Sequence, residues 1–139
     1  MAHIHSHSLE ETQTVAADFA KKLTPGDVIA FFGEMGAGKT TFIKAIGKAL
    51  GIPENHISSP TFQYLTIYNA KTPLFHFDLY RLKSCEDFLA LGFEEFFYRN
   101  GITCVEWSER IFPILPEKTI KILLEHADVD ARIITIGKI

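Results

Sequence analysis

Residues 33–40 read GEMGAGKT, and Gly33, Gly38, Lys39 and Thr40 satisfy G-x-x-x-x-G-K-[ST] in full. Each residue type has a physical reason. Glycines let the backbone curl until successive N–H groups point inward at phosphate oxygens. Lys39 is placed to reach the β and γ oxygens, and the Thr40 hydroxyl is a candidate Mg²⁺ ligand. A helix starting near Lys39 adds its positive dipole end to the same anion site. The cradle then comprises Gly33, Glu34, Met35, Gly36, Ala37, Gly38, Lys39, Thr40 and Thr41. An Asn-Lys-x-Asp run, which reads a guanine base, does not occur, since Asn69-Ala70-Lys71-Thr72 lacks both spacing and acid. The expected cofactors are ATP and Mg²⁺.

Phosphate chemistry of this kind needs a carboxylate on a neighbouring strand to hold Mg²⁺ directly or through water. Glu106 ends the apolar run GITCV, at the strand end where open α/β sheets place ligands, and is the preferred metal ligand. Asp78 ends LFHF and is the candidate for orienting the attacking water or holding a metal-bound water; an ion pair with Arg81 is its structural alternative. Thr61 lies in SSPTF, where its hydroxyl would either touch the γ-phosphate or its metal, or merely cap the next strand. His76 shares a strand face with Asp78, and reads as a half-buried core histidine or a site contact. Trp107, the sole tryptophan, follows Glu106 and suits either packing or a lid.

The elements that must position these groups are legible from periodicity. Ser8 opens a capping-box spacing with Glu11, and Val15, Phe19 and Leu23 recur as on a helix until Pro25-Gly26. The run 27–33 is short and apolar, as in a buried parallel strand. An amphipathic helix follows the loop, carrying Phe42, Ile43, Ile46 and Leu50, with Gly51 as its C-terminal cap. FQYLTIYN and PLFHFDLY predict a hairpin, SCEDFLALGFEEFFYRN a helix, GITCVEW a strand, and TIKILLEH with ARIITIG a second hairpin. This order predicts an α/β fold: a three-layer P-loop NTPase-like domain with a mixed, mostly parallel sheet and hairpin strands.

The chain has 139 residues, 47% hydrophobic and 22% charged, with twelve phenylalanines, which suits one densely packed domain over residues 8–139. Residues 1–7 read as a disordered or tag-like tail, with His3, His5 and His7 as a remote option for a transition metal. The net charge of −3 argues against a nucleic-acid-binding surface. No apolar run approaches the roughly 18 residues of a membrane span, and the start lacks a signal-peptide pattern, so the cytoplasm is the expected address. Cys85 and Cys104 read as buried free thiols.

Taken together, GEMGAGKTTF, SSPTF, FHFDLYRL and VEWSER, in that order and spacing, resemble the TsaE (YjeE) family of bacterial ATPases, which are needed to make threonylcarbamoyladenosine in tRNA. LEETQTVA resembles that family's opening helix, with Thr12 at its recurring threonine, and the likeness runs from about residue 8 to residue 137. Glu34-Met35 stands where the family commonly has Asp-Leu. The resemblance implies an ATPase, weak alone and partner-dependent, that resets a complex of TsaD and TsaB. In that complex TsaD transfers the threonylcarbamoyl group to adenosine 37 of tRNAs reading ANN codons. Contact with tRNA would then be indirect, through the complex. By the same likeness Lys39 and the loop amides hold phosphates, and Thr40 and Glu106 hold Mg²⁺. Thr61 and Asp78 lie in switch-like segments, Thr12 lies near the base or ribose, and Arg132 is a basic nucleotide-side position. The rival readings are a small-molecule kinase, which usually needs an arginine-bearing lid, and an ATP-dependent binding switch with incidental hydrolysis.

Overall fold

The computed structural model describes residues 2–34, 36–57 and 63–139. Strand β1 (Ala2–Ser6) leads into α1 (Leu9–Ala20), whose Ser8 cap accepts from the Glu11 amide. The Glu11 carboxylate reaches back to the His7 amide at 2.7 Å, so the capping box closes one residue further out than its usual form. Next come β2 (Val28–Gly33), α2 (Lys39–Ala49), β3 (Leu65–Tyr68) and β4 (Leu74–Asp78). Helix α3 (Cys85–Ala90), β5 (Ile102–Glu106), β6 (Ile120–His126) and β7 (Arg132–Lys138) complete the described elements, with 3₁₀ turns between them.

The strands form one sheet in the order β1-β7-β6-β2-β5-β4-β3. β4, β5, β2 and β6 run parallel, while β3 pairs antiparallel with β4 and β7 antiparallel with β6. Both expected hairpins are therefore present, and the sheet is mixed and mostly parallel as the pattern of short apolar runs predicts. Alternation along each strand divides the core in two. Ile29 and Phe31 of β2, Leu74 of β4, and Ile102 and Cys104 of β5 pack with Phe42, Ile43 and Ile46 of α2. On the opposite face Val28, Ala30, Phe77 and Val105 meet Phe88, Phe96 and Phe97. The richness in phenylalanine is used there: the Phe77 ring lies 5.3 Å from Phe93, 5.5 Å from Phe88 and 5.9 Å from Phe96, in tilted or edge-on geometry.

Two expectations change. Residues 2–6 are not a tail; they pair antiparallel with β7 from Ala2↔Ile136 to Ser6↔Arg132. The histidines masked a period-two pattern in which Ile4 and Ser6 turn inward while His3 and His5 remain exposed. Ile4 packs on the α1–α2 core, which gives the strand its register. The single helix expected over 84–100 is broken at Gly92, whose φ of +75° ends the turn after α3, and a 3₁₀ segment Phe93–Tyr98 follows. Cys104 is buried as expected, whereas Cys85 is half-buried, with its Sγ 3.4 Å from the Arg110 carbonyl oxygen.

Gly33 ends β2 with φ of +137°, and a Cβ there would sit 2.3 Å from the Leu124 carbonyl oxygen. Gly33→Ala combines a backbone collision with a left-handed conformation, which costs roughly 1–3 kcal/mol by itself. Urea unfolding should show at least that loss, because neither the β6 backbone nor the strand end can yield freely.

Candidate active site

Three parallel strands change character along the same face at the same edge. β2 runs Ile29, Phe31, Gly33; β4 runs Leu74, His76, Asp78; β5 runs Ile102, Cys104, Glu106. Apolar residues at the starts of these strands bury against α2, and the polar ones collect at their carboxyl ends. Asp78 and Glu106 are register partners across β4 and β5 and are both buried. Immediately beyond β2 the chain turns at Gly38, left-handed at φ +106°, into α2. Gly38 has no side chain to cap that helix, and among the described residues none does so, which leaves its first amides to an anion.

Lys39 is buried, and its Nζ donates to the Gly33 carbonyl oxygen at 2.8 Å while lying 4.5 Å from the centre of the Trp107 ring. Trp107 is the one non-glycine residue with positive φ among those described, at 62°. Such a backbone costs on the order of 1–3 kcal/mol, and it holds the indole over the lysine directly after Glu106. Tyr80 packs against the indole with ring centres 5.0 Å apart. Asp78 accepts the Tyr80 amide at 3.0 Å, tying the turn after β4 to its carboxylate.

His76 is fully buried, and its Nε2 lies 2.7 Å from Oε2 of Glu106. Its Nδ1 has no hydrogen-bond partner among the described residues. With its proton on Nε2 the imidazole donates to the Glu106 carboxylate, the arrangement this contact favours. Burial raises the Cys104 thiol pKa far above its ordinary value, and the charge of Glu106 pushes it the same way. That thiol is inert in the native protein.

The remaining expected positions reach the same edge from elsewhere. The Thr12 hydroxyl, on α1, is 2.6 Å from that of Ser6 at the end of β1. Ser6 is in turn the register partner of Arg132 at the start of β7. The Arg132 guanidinium donates to the carbonyl oxygens of Ala37 at 3.1 Å and Gly36 at 3.3 Å, and to those of Asp128, Val129 and Ala131. It therefore grips the phosphate loop by its backbone. Thr40 and Thr41 occupy the first turn of α2. Gly33 and Glu34 also line a groove of about 720 Å³ with Trp107, Glu109, Arg110 and His126. Met35 and Thr61 lie outside the described residues. Sequence reasoning missed Ser6 and undervalued His76, although the i, i+2 spacing to Asp78 was the signal for the latter.

The oxygen donors here suit a hard cation: a first-turn hydroxyl and two buried carboxylates. Thr40 and Glu106 fit Mg²⁺.

The family model described as threonylcarbamoyl adenosine biosynthesis protein TsaE matches residues 6–134. The chain belongs to the TsaE family. It is 39% identical over 132 residues to the tRNA threonylcarbamoyladenosine biosynthesis protein TsaE of Treponema pallidum, covering 95% of this chain and 97% of that protein. The Bacillus subtilis TsaE is 41% identical over 128 residues, covering 91% and 78% respectively. The crystal structure of Bacillus subtilis YdiB superposes with a TM-score of 0.79 at 34% identity, over 97% of this chain and 83% of that one. This TsaE family member thus has a P-loop NTPase-like nucleotide-binding fold and takes part in tRNA threonylcarbamoyladenosine biosynthesis. Among its described residues no helix is long and apolar enough to cross a membrane.

Two measurements follow from this geometry. A phosphate ligand that draws Lys39 away from the indole should change the emission of Trp107, and Lys39→Met should abolish most of that response to ATP; an unchanged spectrum on saturation would break the link between loop and ring. A thiol reagent should label Cys85 but leave Cys104 unmodified until the protein is unfolded.

Proposed function

We propose that this protein hydrolyses ATP with Mg²⁺ and that hydrolysis resets a TsaD–TsaB transferase pair, which modifies adenosine 37 of ANN-decoding tRNAs. The observation that carries this reading is the meeting of a complete phosphate loop with two buried carboxylates, Asp78 and Glu106, side by side on adjacent strand ends. In this reading Lys39 leaves the Gly33 carbonyl for the β and γ oxygens, and the amides opening α2 take the rest of the phosphate charge. Thr40 and Glu106 hold Mg²⁺, which when bound neutralises charge developing on the transferred group. Asp78 orients a water for attack on the γ-phosphorus; the bridging P–O bond breaks, and ADP and inorganic phosphate leave. Thr12 and Arg132 line the nucleotide side. Thr61 serves as the switch-segment threonine by resemblance alone.

Slow hydrolysis by the isolated protein follows from the commitment of Arg132 to backbone carbonyls, since an arginine at the γ-phosphate contributes on the order of 10³–10⁵ in rate. The partners would supply the missing group or order the segments around Thr61 and Asp78. The family description supports the pathway, and the small negatively charged chain favours contact with tRNA through its partners rather than directly.

The test is phosphate release and multiple-turnover tRNA modification, with and without the TsaD–TsaB pair. Asp78→Asn and Glu106→Gln should each lower the partner-stimulated rate by on the order of 10²-fold or more while leaving the melting transition cooperative. Fast hydrolysis that the partners leave unchanged would overturn the coupling, and transfer of phosphate to a metabolite in place of water would favour a kinase.

A further inference from the structure

We propose that His76 is a positioning residue that fixes the Glu106 carboxylate, so that one oxygen is held by the imidazole and the other is presented to the metal. The proposal rests on the Mg²⁺-dependent reading of the site and deepens it. His76 and Glu106 stand on adjacent strands, offset by one inward-facing position, and their side chains meet at 2.7 Å in a region closed to solvent. On these two strands the same face carries Cys104 beside His76 and Leu74 and Ile102 below, all buried in the apolar core against α2.

The geometry is specific in a way that packing does not require. A glutamate carboxylate turns freely about its last torsion, which is broad and two-fold. Anchoring Oε2 removes that freedom and sets the plane in which Oε1 lies. Hydrogen bonds behind a ligand of this kind typically set metal affinity and activity by tenfold to a hundredfold. A buried polar pair is also poor stabilising material compared with well-packed apolar residues, so its presence under Glu106 points to orientation. Among the described residues the ring has a hydrogen-bond partner only on the side that faces the carboxylate.

The experiment compares His76→Leu, which removes the donor at similar volume, with His76→Gln, whose amide keeps an N–H at a similar reach. Calorimetric titration of Mg²⁺ into the ADP-bound protein should show His76→Leu weakened by about tenfold or more, with metal-free ADP affinity unchanged and His76→Gln restoring much of the loss. In partner-stimulated hydrolysis, kcat should fall by a similar factor while KM for ATP stays within about threefold. His76→Leu added to Glu106→Gln should slow the reaction no further than Glu106→Gln alone. Equal losses in His76→Gln and His76→Leu, multiplying effects in the double variant, or an unaltered Mg²⁺ affinity in His76→Leu would each overturn the proposal. Where His76→Leu fails to fold, the glutamine variant alone decides: it must retain most of the metal affinity. A wild-type protein that binds Mg²⁺ with ADP but never hydrolyses ATP would defeat the ATPase reading while leaving this metal-binding comparison intact.

Discussion

The end of β2 is the point from which the candidate site hangs. At Gly33 the space a side chain would fill is taken by the Leu124 carbonyl oxygen, 2.3 Å from the position of a Cβ. That approach lets β6 pair with β2 as far as Gly33↔Leu124, and the chain then leaves the sheet abruptly. β2 is central and parallel to both neighbours; β5 pairs with it as far as Ala30, and β6 holds it on to its last residue. The loop that follows therefore starts from a fixed point, and α2 starts at a fixed distance from Asp78 and Glu106. A phosphate site built on backbone amides needs this, since amides can be aimed only by fixing the chain that carries them.

The same rigidity makes buried charge tolerable at the strand ends. Asp78 and Glu106 lie side by side and buried, an arrangement that repels unless donors or cations intervene. The Tyr80 amide serves Asp78 and the His76 imidazole serves Glu106. Lys39, a further cation at this edge, is held by the Gly33 carbonyl and the Trp107 ring. The left-handed backbone of Trp107 stores strain at the point where that ring meets the lysine.

Much of this was legible in the sequence because local rules and tertiary demands agree there. The apolar run 27–33, the glycine spacing and the amphipathic stretch after it predict β2, the loop and α2 from period and turn chemistry alone. GITCVEW and the two hairpins follow from short apolar runs with polar punctuation. What escaped the sequence depended on partners far along the chain. Ala2–Ser6 is a strand because β7, about 130 residues later, offers it an edge, and a five-residue alternation containing histidines does not announce that. The break at Gly92 was hidden by apolar residues on both sides, whose burial against Phe77 outweighs helical continuity. For His76, strand parity gave its face but not the carboxylate it would meet, because that pairing belongs to the β4–β5 register.

Arg132 shows how a residue placed correctly at the edge can still act differently from the simplest expectation. Its donors go to the carbonyls of Gly36 and Ala37, so its charge is spent on the loop's own backbone. In a planar trans peptide the C=O of one residue and the N–H of the next point in opposite directions. Holding the Ala37 carbonyl thus aims the Gly38 N–H away from the guanidinium. β7 carries Arg132 at the start of the strand, where Ser6 and, through it, Thr12 are joined to the same edge. The N-terminal strand, the first helix and the C-terminal hairpin are in this way mechanically connected to the phosphate loop. A change in the loop's backbone would therefore act on the β1–β7 side of the sheet through Arg132 as well as on the β2 strand end.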